Sequence, residues 1–136
     1  MFLSVKEMRE AFWKNYNYSG RAIRHQYKCP IRENGADLVT VEIYKNDIQF
    51  NAFEFTINET KKVIARAKAD IEYVNKVWIV IPEEKETELL NRHAHEMKGI
   101  GVITVAESGK WTAVCLPNFK KEIKMSQDIL KLILIS

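Results

Sequence analysis

Hydrophobic and polar positions change period several times along the chain, and each change marks an element. Over 4–16, Val5, Met8, Phe12 and Tyr16 recur at helical spacing behind Ser4, which predicts an amphipathic helix with a serine N-cap. Tyr18, Ser19 and Gly20 break that pattern. The stretch 22–31 reads as a strand, closed by Pro30 and the Glu33-Asn34-Gly35 turn. Within 36–44, Val39, Val41 and Ile43 alternate with Thr40, Glu42 and Tyr44, as a half-buried strand requires. A second β-rich run covers 48–55, and the polar Lys45-Asn46-Asp47 between the two predicts a hairpin.

The period then becomes helical again. Over 59–74, Val63, Ile64, Ala67, Ile71 and Val74 mark one face, while Lys61, Lys62, Arg66 and Lys68 make the remainder basic. Val77-Trp78-Ile79-Val80-Ile81 is a continuous apolar run ended by Pro82, which suits a strand buried on both faces. A polar helix over 83–97, strands over 102–105 and 111–116, and a helix over 118–135 complete the order. The strand, helix, strand passage predicts a βαβ crossover. The whole predicts an α/β fold, a mixed sheet flanked by helices.

With 136 residues the chain has the size of one domain, spanning 1–136. A hydrophobic fraction of 46% and a charged fraction of 29% suit a globular protein rather than a disordered one. The net charge of +3 permits a nucleic-acid partner without demanding one. Cys29 and Cys115 form no CxxC pair and are too few for a disulfide framework. The first residues carry charges where a signal peptide needs apolar ones. No apolar run approaches the roughly 20 residues that span a bilayer. These features predict a cytoplasmic protein without a membrane segment.

Candidate chemistry lies in two acids. Asp37 opens one strand and Glu54 stands near the end of the next. If those strands pair about the 45–47 turn, both carboxylates reach one end of the hairpin. There they are placed to share a divalent ion, Mg²⁺ or Mn²⁺, which would polarise a phosphate and generate the attacking hydroxide.

Together with the helix and buried strand that follow, this order resembles the PD-(D/E)XK nuclease superfamily, from about Arg32 to Leu116. The resemblance implies a restriction-endonuclease-like sheet and metal-dependent DNA hydrolysis. It implies that Asp37 is the first acid, Glu54 the second, and the strand 76–82 the fourth of the core. The family's lysine belongs two residues after Glu54, where this chain has Thr56. Thr56-Ile57-Asn58-Glu59 instead reads as a capping box. Lys62 is the candidate replacement for the catalytic lysine and Lys61 the second choice, with Lys61, Arg66 and Lys68 as candidate phosphate contacts. Because threonine supplies no cation for the developing charge, the alternative is a degenerate relative that binds nucleic acid or a protein partner without cutting. The apolar end of the last helix, with Ile129, Leu130, Leu132, Ile133, Leu134 and Ile135, offers a surface for another chain, a homodimer partner included. Glu7 and Glu10 are further candidates for an extra metal acid, and Trp13, Trp78 and Trp111 read as core or half-buried packing residues rather than base-stacking platforms.

Overall fold

A computed structural model describes residues 1–135. The elements run α1 (Val5–Tyr16), β1 (Ala22–Cys29), β2 (Ala36–Tyr44), β3 (Asp47–Phe55), α2 (Thr60–Asp70), β4 (Lys76–Pro82), α3 (Glu86–His93), β5 (Gly101–Val105), β6 (Trp111–Cys115) and α4 (Gln127–Leu134). A single 3₁₀ turn, Glu83–Lys85, joins β4 to α3. The fold is α/β, with the six strands lying in sequence order in one mixed sheet. The first three form an antiparallel meander, β3, β4 and β5 are parallel neighbours, and β6 returns antiparallel. Among the described residues no helix is long and apolar enough to cross a membrane.

Strand alternation divides the core between the two faces of this sheet. Leu38, Phe53, Phe55, Val80 and Ile103 pack with Met8 and Phe12 of α1 on one face. On the other, Val39, Val41, Ala52, Ile79 and Ile81 pack with Val63, Ile64 and Ala67 of α2 and Ile133 of α4. The strands that carry Asp37, Glu54 and Trp78 are therefore adjacent, with α2 laid across them. The hairpin turn is tighter than the pattern suggests. Tyr44 pairs with Asp47, leaving only Lys45 and Asn46, both with positive φ, to make the bend.

Three helical expectations need correction. The helix expected over 59–74 ends at Asp70, and Ile71 is exposed while Val74 is buried beyond the helix. The polar helix expected over 83–97 shortens to α3 behind its 3₁₀ turn. The helix expected over 118–135 is confined to α4, because the preceding backbone finds partners outside itself. The amides of Asn118, Lys120 and Lys124 donate to the carbonyls of Gly99, Asn75 and Glu72. A chain whose backbone groups are already satisfied gains little by coiling.

Candidate functional site

Asp37 and Glu54 come together where the β2–β3 ladder stops. The last cross-strand pair is Leu38 with Phe53, and beyond it Asp37 Oδ2 accepts the Phe55 amide at 3.0 Å. Asp37 thus continues the ladder with its side chain and does not serve the Asn34-Gly35 bend. Glu54 faces α2, between Phe53 and Phe55 on the opposite face, and its side chain has no exposed surface. A carboxylate so placed needs cations or a proton.

Two guanidinium groups meet it. Arg66, on the second turn of α2, reaches Glu54 Oε1 with Nε at 3.3 Å and Asp37 Oδ2 with Nη2 at 3.7 Å. The same Nη2 donates to the Phe55 carbonyl at 3.0 Å. Arg32 approaches from the β1–β2 loop, meeting Glu54 Oε2 at 3.2 Å and pairing through Nε with Asp70 Oδ1. The loop is shaped for this by Asn34 and Gly35, both left-handed. A Cβ on Gly35 would sit 3.2 Å from the Cys29 carbonyl, so the position suits glycine in space as well as in φ.

Burial and like charge set the protonation of the cluster. Glu54 is pushed up to about 10, chiefly by burial and then by its hydrogen-bonding contact with Asp70. Burial also raises Asp70, against the pull of Glu54 and Arg32. Asp70 Oδ2 is buried, and no N–H or hydroxyl of the described residues donates to it. A proton on Glu54, the form its burial favours, would supply a donor beside that oxygen and leave two guanidiniums facing two other acids.

This arrangement does not fit the divalent ion that the resemblance implies. Metal-binding carboxylates turn ionised oxygens toward one point. Here both Glu54 oxygens face guanidiniums, Glu54 favours its neutral form, and Asp37 gives the same oxygen to Arg66 and to a backbone amide. No trio of His, Cys, Asp or Glu side chains among the described residues is placed to hold a metal.

The remaining candidates lie elsewhere. Lys62 is exposed on α2 and pairs with Glu59 at 2.8 Å, so the cation of α2 that reaches Glu54 is Arg66, one turn later. Lys61 and Lys68 are exposed on the outer face of α2. Thr56 is buried, and its hydroxyl accepts the Glu59 amide at 2.8 Å, half of the expected capping box. The other half is missing because the Glu59 carboxylate turns to Lys62. Glu7 belongs to the cap of α1, where its carboxylate accepts the Leu3 amide, and Glu10 lies 3.9 Å from Lys6.

Arg32 and Asp70 were absent from the candidates drawn from sequence. Asp70 left a signal, since it follows Val63 and Ala67 at helical spacing and so falls on the apolar face of α2. An acid there needs a partner. Arg32 left none, because nothing local marks a loop arginine as the partner of an acid 38 positions away.

No family model matches the chain, and no curated protein matches it. Among solved structures it is similar to a protein of unknown function from Silicibacter pomeroyi. The two share 10% identity at a TM-score of 0.64, over 99% of this chain and 84% of the other. At that identity the likeness shows a common fold alone.

Proposed function

We propose that this chain is a catalytically degenerate relative of the PD-(D/E)XK nucleases, one that binds nucleic acid without cutting it. The observation that carries this reading is the double engagement of Arg66 with Glu54 and Asp37, at 3.3 and 3.7 Å. A guanidinium stands where the family's chemistry calls for a metal, and a buried neutral acid is a poor ligand for one. The order of β2, β3, α2 and β4 supports the family. DNA as the partner rests on the basic outer face of α2, with Lys61, Lys62 and Lys68 exposed, and on the net charge of +3. A cytoplasmic setting accords with the free thiols Cys29 and Cys115. A homodimer through α4 accords with the exposure of Leu132, Leu134 and Ile135.

A second reading, a Mg²⁺- or Mn²⁺-dependent DNA endonuclease, draws on the same arginine. Arg66 reaches both acids from the helix expected to supply a relocated lysine, so it is the candidate for the lysine's role in place of Lys62. That reading requires Glu54 to ionise and leave its guanidinium partners.

One pair of measurements separates the two. Duplex, single-stranded and branched DNA are titrated at several salt concentrations, and the same substrates are incubated with Mg²⁺, Mn²⁺ or EDTA. The expected result is binding that weakens as salt rises, unchanged by EDTA, with no cleavage. Charge reversal at Lys61, Lys62 and Lys68 together should weaken duplex binding by an order of magnitude or more. Metal-dependent cleavage lost in Glu54→Gln would establish the second reading. Absence of binding at low salt would remove the nucleic-acid partner altogether.

A further inference from the structure

On the face of the sheet opposite the carboxylate cluster, α1 and β1 assemble a half-exposed array of rings and guanidiniums. Trp13 lies over His25 with ring centroids 4.5 Å apart, and His25 meets Tyr27 edge-on at 5.5 Å. Arg9 covers the Tyr27 ring at 5.2 Å. Trp13 also stacks on Tyr16 at 6.2 Å, and Arg21 lies over the Tyr16 and Trp111 rings at 5.1 and 5.0 Å. Trp13, His25 and Tyr27 are half-buried, so part of each stays exposed, whereas Tyr16 is buried and anchors the row.

We infer that this array is a stacking platform for the bases of single-stranded nucleic acid. The inference deepens the nucleic-acid reading above and rests on it. Three observations converge. Proteins that hold single strands without sequence preference pair aromatic rings with cations that follow the backbone, and rings flanked by arginines supply both. β1 is an outer strand that among the described residues pairs with β2 alone, so the row lies at the end of the sheet rather than within it. The charge also suits an anion. Arg9, Arg21 and Lys14 lie on or just beyond α1, while the nearby acids are engaged. Glu42 accepts the Tyr16 and Thr40 hydroxyls at 2.7 Å, and Glu10 lies 3.9 Å from Lys6.

The test uses the full chain, with a fluorescently labelled oligothymidine and a duplex of equal length, read by anisotropy. Trp13→Leu and Arg9→Ala should each lower single-strand affinity about tenfold, the size expected from one lost base–ring stack. Trp13→Phe should keep most of that affinity, and duplex affinity should stay within twofold in all three. Arg9 covers a half-buried ring rather than a core one, so its variant remains informative if Trp13→Leu lowers stability. Unchanged single-strand affinity in Arg9→Ala and a folded Trp13→Leu overturns the platform, as does an equal loss on single strand and duplex. In either case duplex binding that falls on charge reversal of α2 leaves the nucleic-acid reading standing. No affinity for either nucleic acid removes both.

Discussion

Glu54 is an acid with a choice of two charge states, and its surroundings decide between them. Burial raises its pKa to about 10 from an ordinary 4.5, so the native protein keeps a proton that the unfolded chain releases. Stability from this group is full below the unfolded value and is lost as pH rises toward the native one. Wild type should therefore lose stability between about pH 5 and pH 9 through this site. Glu54→Gln should lose less, because a glutamine amide, like a protonated acid, is a neutral donor beside Asp70 and releases no proton over this range. Urea denaturation of both proteins across that range is the check, and parallel profiles would mean that Glu54 is ionised in the native state. Arg32 tests the same cluster from the cationic side. Arg32→Met leaves Asp70 and Glu54 without their shared cation and should cost about 3 kcal/mol or more. Adding Asp70→Asn to that variant should recover part of the loss, since it removes a charge left without its partner.

At the scale of elements, α1 was legible almost whole. Its apolar positions and its cap were both in the sequence, and Ser4 Oγ accepts the Glu7 amide at 3.1 Å as the pattern predicts. Ser4→Ala should cost about 1 kcal/mol, measurable as a lower urea midpoint with an unchanged slope. The meander and the parallel strand β4 were equally plain, since alternation and an unbroken apolar run report which faces are buried. The ends of α2 and α4 were not. Apolar residues beyond Asp70 and before Gln127 keep helical spacing by chance, and Val74 and Met125 are buried outside any helix. The site was half legible for a related reason. Asp37 and Glu54 are marked by their strands, whereas Arg66 and Lys62 share one side of α2, and the choice between them turns on how far along the helix Glu54 lies, a difference of one turn.

The whole molecule is closed by a residue that no motif singles out. Asn75 is buried in the connection between α2 and β4, and it joins β3 to the stretch after β6. Its Oδ1 accepts the Phe50 amide at 2.8 Å, and its Nδ2 donates to the Lys120 carbonyl at 2.8 Å. Its own amide donates to the Phe50 carbonyl at 2.9 Å, and its carbonyl accepts the Lys120 amide at 2.8 Å. One side chain thus satisfies backbone groups from segments that sequence separates widely. Such pairing leaves no periodic trace, because an asparagine before a buried strand reads as ordinary turn chemistry. Asn75→Ala keeps the backbone bonds but leaves the Phe50 N–H and the Lys120 carbonyl without these partners. At about 1–3 kcal/mol for a buried group left unpaired, with the Phe50 N–H the buried one and Lys120 exposed, a loss of about 2 kcal/mol is expected. Hydrogen exchange distinguishes this from a general loosening. Phe50 should lose far more protection than the amides at the centre of β4, whose partners in β3 and β5 are untouched. A uniform fall across the sheet would mean that Asn75 contributes to global stability without latching these segments together.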